Sequence, residues 1–377
     1  MERAIAHLGA ALVARGTEVT LITTQWDQSW PERIDYRGIS VFRLAQKGGK
    51  FLGKRDWLRN LSRFLSEKAE QFDVAYVREL RHDARAVLNA VERRRLAVVL
   101  RVDNSGPTGD CLWQLESGDG RRIKRRIMRA DALIGTTEIA HRELLAAGYP
   151  RDRIHRIVGG VPISGVLSVG DKLAARQALE SVNTLLHCPP ETPAAVYTGR
   201  LDDTKGVFRA IDAWRAVAGR WPNARLWLVG PGANQSELNG RIDAAGLVGR
   251  VVIPGVFADV SELLAAADAV VVRGESGESH ALLLEAMAAG VPVAADDNPL
   301  HRSVAGEEPC ARLIPGLESA ALGEFLIEVF HDVDRARQMG AAAQNRVQSE
   351  YEMEQVADAY VSLLQDLVRK QESLSSL

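Results

Sequence analysis

AAVYTG (194–199), ARLWLVG (224–230), VVIPG (251–255), AVVVR (269–273) and PVAAD (292–296) are short apolar runs, separated by stretches whose apolar residues recur at helical spacing. Helical patterns start near Val207, run around Ser236 to Ala245, cross 260–268 and pass through Leu283 to Ala289. A strand that reads as one unbroken apolar run needs cover on both faces. The alternation therefore predicts a doubly wound parallel sheet with helices on either side.

Working back toward the start, residues 166–192 hold Gly170, Pro189 and Pro190 and a short helix around Ala174 to Leu179, and read as an interdomain linker. Before it lies a second alternation. EVTLIT (18–23), ISVFRL (39–44), VAYVRE (74–79), AVVLRV (97–102), ALIGTT (132–137) and IHRIVGG (154–160) read as strands, with helices near 54–71, 83–94 and 138–146. The expected organisation is an α/β protein of two Rossmann-like domains, 1–165 and 193–345, followed by a helix over 346–377 that returns to the first domain. The chain opens inside a helix, with Ile5, Leu8, Leu12 and Val13 at helical spacing and Gly16 as its C-cap, so the first domain is expected to lack its first strand.

Composition excludes several classes of function. In 377 residues, 47 lysines and arginines stand against 49 acidic residues, a net charge of -2 that exerts no global pull on nucleic acid. Any anion must be held locally. Cys111, Cys188 and Cys310 are odd in number and widely spaced, which fits neither a disulfide framework nor a zinc pattern. No run approaches the roughly 20 apolar residues needed to cross a bilayer, and a cytoplasmic location is expected. Arg121, Arg122, Lys124, Arg125, Arg126 and Arg129 cluster on one helix; a solvated face is the favoured reading, and contact with an anionic membrane the lesser one.

Two tandem sheets leave a cleft at the carboxyl ends of their strands, so chemistry is expected on the loops there. Gly199-Arg200-Leu201-Asp202-Asp203-Thr204-Lys205-Gly206 follows a strand and opens a helix. Glycine permits a sharp turn, while Arg200 and Lys205 bring two cations to a helix N-terminus that already favours an anion such as a diphosphate. Surface pairing with Asp202, Asp203 or Asp212 is the competing explanation. Gly230-Pro231-Gly232 is not completed to a dinucleotide fingerprint by Ala233, Asn234 and Gln235. The densest stretch runs from Arg273 to Val293. Its loop Gly277, Glu278, Ser279, His280, Ala281 and Leu282 offers amides and short polar groups to a sugar and phosphate, and Glu285 lies in an apolar helix where a lone carboxylate is costly.

YTGRLDDTKG, RLWLVGPG, VIPGV, LLAAADAVVV and LLLEAMAAGVPVAA, in that order, resemble the carboxyl-terminal domain of the retaining glycosyltransferases of family 4 (glycosyl transferases group 1), which share the GT-B architecture. The resemblance implies a UDP- or GDP-sugar donor, a hydroxyl acceptor, no metal and no further cofactor. It assigns the diphosphate to Gly199, Arg200 and Lys205, the ribose to Glu285, and the sugar and distal phosphate to residues 277–282. The chain departs from the family's E-x7-E pattern: Gly277 stands eight positions before Glu285, leaving Glu278 as the candidate catalytic carboxylate. In RVDNSGPTGD (101–110), Asp103 is a second catalytic candidate, and Asn104, Ser105, Gly109 and Asp110 are acceptor-side candidates beside an ordinary Asx-rich turn. The other classes of function are a non-catalytic nucleotide-sugar-binding protein and a nucleotide-sugar epimerase. The lack of a dinucleotide fingerprint disfavours a dehydrogenase.

Overall fold

The computed structural model describes residues 2–46, 50–92, 96–163, 165, 167–201, 204–232, 235–257, 259–306 and 310–375. It divides into two compact units: residues 2–160 with the tail from Met353, and residues 161–352.

The amino-terminal unit runs α1 (Glu2–Val13), β1 (Thr20–Gln25), β2 (Arg33–Tyr36), β3 (Ile39–Ala45), α2 (Lys50–Lys68), β4 (Val74–Arg78), α3 (His82–Ala90), β5 (Ala97–Val102), α4 (Asp110–Glu116), α5 (Gly120–Ile127), β6 (Ala132–Gly135), α6 (Glu138–Ala146) and β7 (Ile154–Arg156). Its strands form two sheets, β1-β3-β2 and the parallel β4-β5-β6-β7. β2, which the sequence pattern did not predict, is an exposed strand antiparallel to β3. In β5, Val98, Leu100 and Val102 pack toward α2, α3, α5 and α6, while Ala97 and Val99 pack on the other side with α1. That alternation is the period-2 signature of a strand buried on both faces.

The carboxyl-terminal unit runs α7 (Val169–Val182), β8 (Ala194–Thr198), α8 (Thr204–Arg220), β9 (Arg225–Val229), α9 (Gln235–Ala244), β10 (Val251–Gly255), α10 (Ser261–Ala266), β11 (Ala269–Val272), α11 (Gly277–Ala288), β12 (Val293–Asp296), α12 (Pro299–Ala305), β13 (Arg312–Ile314), α13 (Ser319–His331) and α14 (Val333–Glu350). One continuous six-stranded parallel sheet has the order β10-β9-β8-β11-β12-β13. Ala195, Tyr197, Leu226, Leu228 and Val271 share a core with Trp214 of α8 and Phe325 of α13. The last helix, α15 (Met353–Ser375), belongs to the amino-terminal unit, where Tyr360 and Ala357 pack in the same cluster as Leu8, Val99 and Ile134.

Residues 166–192 are not a bare linker. α7 begins with a capping box between Ser168 and Asp171 and is held to the carboxyl-terminal unit by Arg176. That buried guanidinium donates to Ala266 O (3.1 Å), Pro189 O (2.6 Å), Pro190 O (2.9 Å) and the Asp268 carboxylate (3.1 Å). Asp268 also accepts from the Ala194 amide at the start of β8 (2.9 Å). A buried charge must be saturated in this way, and the fixed fork of arginine can reach several carbonyls at once.

The loops after β8 and β9 touch through glycine backbone. A Cβ on Gly230, whose φ is +152°, would sit 1.8 Å from the Gly199 carbonyl oxygen. Gly230→Ala is expected to destabilise the carboxyl-terminal unit by about 3 kcal/mol, from the clash and the disfavoured φ together. A lowered urea midpoint checks this; an unchanged midpoint contradicts the packing.

Candidate functional site

The carboxyl ends of β8, β9 and β11 bring three loops together. Gly199 N donates to Val229 O (3.3 Å), Leu201 N to Pro231 O (2.8 Å), and Arg273 N to Thr198 O (3.3 Å). Gly206, in the first turn of α8, lies directly under Arg273: a Cβ there would be 2.6 Å from the Arg273 Nε. Arg273 in turn donates to Asp296 at the end of β12 (2.9 Å). The N-termini of α8 and α11 therefore open beside these loops, where the helix dipole favours an anion.

Among the sequence-predicted residues, Gly199 and Arg200 stand on the β8 loop, with Arg200 exposed, and Lys205 follows in the first turn of α8. Asp202, Asp203 and the Lys205 side chain lie outside the described residues, as do Ala233 and Asn234. Asp212 is engaged by Arg241 at 2.6 Å. Gly277 and Glu278 start α11, Glu278 exposed; Ala281, Leu282 and Glu285 are half-buried, and His280 is buried edge-on to Tyr351 with ring centroids 6.5 Å apart.

Ser279 has a local task besides any ligand. Ser276 caps α11, and Ser279 closes the capping box by accepting from Ser276 N (3.2 Å) and donating to Ser276 O (2.8 Å). Behind it, fully buried His301 brings Nε2 within 3.3 Å of Ser279 Oγ and Nδ1 within 2.8 Å of Asp296 O. With the proton on Nδ1, the ring donates to the Asp296 carbonyl. Asn298 caps α12 by accepting from His301 N (2.9 Å) and donates to Gly274 O (3.1 Å). This support for the loop before α11 went unread in the sequence, although the Asn298-Pro299 pair is a helix-start signal.

The amino-terminal candidates are arranged differently. Asp103 accepts from Arg78 Nε (2.8 Å) and Arg101 Nε (2.6 Å), and Arg101 reaches Tyr76 Oη (3.3 Å) and Tyr360 Oη (3.4 Å). Burial alone would raise the Asp103 carboxyl, but the two guanidiniums overcome it and hold it below the usual carboxylate range. The side chain expected to be catalytic thus ties β4, β5 and α15 together. Asp110, 1% exposed, accepts from Leu80 N (2.9 Å) and Arg81 Nε (2.7 Å), and burial pushes its carboxyl up. Gly109 is the N-cap of α4; Asn104 and Ser105 are half-buried on the same loop.

Arg81 and Glu79 mark a place the sequence pattern did not single out. A cavity of about 320 Å³ opens at the carboxyl ends of β1 and β4, lined by Trp26, Lys54, Trp57, Glu79, Arg81 and His82 among others. Glu79 has φ +70°, uncommon for a residue with a side chain, and burial followed by the nearby Asp110 charge raises its carboxyl. Neither feature has a one-dimensional signature. In the basic cluster on and just after α5, Arg126 and Arg129 pair with Glu92 and Lys124 donates to Ala147 O; Arg121, Arg122, Arg125 and Arg129 are exposed.

The model for Glycosyltransferase Family 4 matches residues 1–164, and that for Glycosyl transferases group 1 matches residues 187–346. The chain belongs to glycosyltransferase family 4. Its relatives include a phosphatidyl-myo-inositol mannosyltransferase of Mycobacterium leprae, 33% identical over 44% of this chain and 45% of that protein. A 2-deoxystreptamine N-acetyl-D-glucosaminyltransferase of Streptomyces fradiae is 30% identical over 59% of this chain and 52% of its own. The matched stretch spans about half the length of these two curated relatives. Among solved structures, sucrose-phosphate synthase from Thermosynechococcus elongatus has a TM-score of 0.73 at 21% identity, covering 96% of this chain and 92% of that one. Anabaena HepE in complex with UDP and glucose has a TM-score of 0.69 at 18% identity, covering 99% and 96%. The family 4 chain has the GT-B fold of two Rossmann-like units. Among the described residues, no helix is long and apolar enough to cross a membrane, and no cluster of His, Cys, Asp and Glu is arranged to hold a metal.

Two predictions separate support from catalysis. Asp103→Asn strands the buried Arg101 and is expected to cost about 3 kcal/mol or more of stability in urea unfolding; unaltered stability with abolished turnover would favour the catalytic role instead. Burial holds His301 neutral, with its pKa below the ordinary value. The unfolded chain takes up a proton there as pH falls below about 6.5 while the folded one does not. Stability is therefore lost downward from that pH, and His301→Gln is expected to flatten the slope of stability between about pH 6.5 and pH 5.

Proposed function

We propose that this family 4 protein is a retaining, metal-independent glycosyltransferase that moves a hexose-type sugar from a UDP- or GDP-sugar to a hydroxyl acceptor. The observation that carries the proposal is the convergence of the β8, β9 and β11 loops with the N-termini of α8 and α11. Negative charge grows on the leaving diphosphate as the glycosidic bond breaks. Fixed cations and amide dipoles stabilise it without reorganisation, which is the largest lever available to such a site. Arg200, Lys205 and Gly199 take the diphosphate, Glu285 takes the ribose diol, and the loop 277–282 takes the sugar and distal phosphate. The acceptor is taken by the amino-terminal unit, whose cavity offers two tryptophan faces, cations and the carboxyl of Glu79. The protein works on the cytoplasmic side, where nucleotide sugars are made.

Replacing Arg200 and Lys205 together by alanine is expected to weaken UDP or GDP binding at least tenfold, about 1.4 kcal/mol, by calorimetry at fixed salt. An unchanged Kd removes the site assignment. Donor hydrolysis followed by NMR should release the sugar first in the anomeric configuration of the donor.

A second reading, a nucleotide-sugar-binding protein without turnover, is favoured by one observation: glycine occupies position 277 at the start of α11, and the neighbouring Glu278 is exposed. Tight nucleotide binding with no hydrolysis or transfer would select it, and release of an epimer without acceptor would select an epimerase.

A further inference from the structure

Among the described residues, three other than glycine hold a positive φ: Arg37 (+52°), Glu79 (+70°) and Leu317 (+53°). Two of them have a local reason. Arg37 and Gly38 (φ +79°) form the two-residue turn between the antiparallel strands β2 and β3, where both residues must be left-handed. Leu317 is wholly buried in the core of the carboxyl-terminal unit. Glu79 has neither reason. It turns no hairpin, because β4 pairs in parallel with β5, and its side chain is 42% exposed at the wall of the cavity. Glycine or asparagine would take this conformation at lower cost, so the glutamate works against its own backbone. Strain of that kind collects where a ligand is held.

The chain bends sharply at this point. Glu79 N still donates to Arg101 O (2.9 Å), while the next residue, Leu80, is wholly buried and gives its amide to Asp110 (2.9 Å). Leu80 thus enters the core, and the Glu79 carboxyl stays at the cavity. The neighbouring carboxylates are saturated, Asp103 by Arg78 and Arg101 and Asp110 by Arg81, whose guanidinium also lies 5.2 Å from the centre of the Trp113 ring. Glu79 differs from both. Among the described residues no group donates a hydrogen bond to its carboxyl: Arg81 Nε stands 3.7 Å away, beyond hydrogen-bond length, and is committed to Asp110. Around it the wall offers Trp26 and Trp57, the Thr24 hydroxyl, the Gln46 amide and the Lys54 amine. Trp26 is 73% exposed. An indole face in water beside donors and acceptors suits a ring with an apolar face and a polar edge. The volume of about 320 Å³ holds one such ring rather than a chain of them.

We propose that Glu79 is the specificity-determining residue of this cavity, its carboxyl accepting hydrogen bonds from two adjacent hydroxyls of a neutral ring polyol, a sugar or cyclitol, whose apolar face lies on Trp26. Its role in transfer rests on the reading of the cavity as the acceptor site, to which it adds the acceptor's class. The two oxygens of a carboxylate lie in one plane and match a pair of adjacent hydroxyls, which in turn accept from Lys54 or Gln46. Other classes fit less well. Lys54 is offset by Glu79 and Asp83, so a phosphate or carboxylate ligand would meet like charge. A purely aliphatic ligand would cover the Glu79 carboxyl without giving it a partner.

Tryptophan fluorescence titrated with methyl α-D-mannopyranoside, methyl α-D-glucopyranoside and myo-inositol tests the proposal, with glycerol as an open-chain control and UDP and GDP calorimetry on the same samples. At least one ring is expected to give a saturating change that glycerol at equal concentration does not. Glu79→Gly adopts the positive φ without strain, so it is expected to melt at the same temperature or a few degrees higher, yet to weaken ring binding at least about tenfold. Glu79→Gln keeps the size and the strain and is expected to weaken ring binding as well, as is the exposed Trp26→Ala without a lower melting temperature. Nucleotide affinity, which belongs to the other unit, reports separately. A Glu79→Gly protein that melts several degrees lower overturns the proposal, because the glutamate then serves the fold. Ring binding indifferent to Glu79→Gly and Glu79→Gln overturns it too, as do rings that act no differently from glycerol. A Glu79-dependent ring response beside absent nucleotide binding would remove the transferase reading and leave the ligand class of the cavity standing.

Discussion

Backbone contact between the loops after β8 and β9 is the constraint on which the carboxyl-terminal unit depends. Parallel strands about 4.8 Å apart leave little room for their loops to cross. Here the Gly230 Cα faces the Gly199 carbonyl so closely that any Cβ would overlap it. The same crowding recurs where the Arg273 side chain lies over Gly206. Because these glycines let the chains pass, three strand ends and two helix N-termini open toward one place. The anion site proposed for the unit draws on main chain and helix direction before any side chain.

Polar side chains around these strand ends serve architecture first. Asp268 joins β8 to α7 through the buried Arg176, Asp103 joins β4, β5 and α15 through Arg78 and Arg101, and Asp110 fixes the β4 loop through Leu80 and Arg81. In each case a carboxylate at or near a strand end meets an arginine. Burial of either partner alone would cost several kcal/mol, so the pair is complete or absent. His301, Asn298 and Ser279 achieve the same for the α11 loop with neutral groups, and the rigidity they confer suits a loop expected to hold a ligand.

Seen as ladders, the two units contrast. One has a continuous six-stranded sheet whose strand β8 is wholly buried; the other has two separate sheets, β1-β3-β2 and β4-β5-β6-β7.

The amino-acid sequence by itself determined the alternation of strand and helix, the doubly wound class and the family, because apolar runs and helical spacing are local and five motifs in fixed order are hard to mistake. It also brought forward Gly199, Arg200, Lys205 and Glu285 as candidates, since charge after a strand is visible in one dimension. Tertiary structure alone decided that Asp103 and Asp110 are held by arginines 25 and 29 positions away, that α7 packs on the carboxyl-terminal unit, and that His301 stands behind Ser279. The reason is the same throughout: a side chain's partners, and a strand's neighbours, are fixed by how distant segments pack, and burial sets the cost of leaving either unmatched.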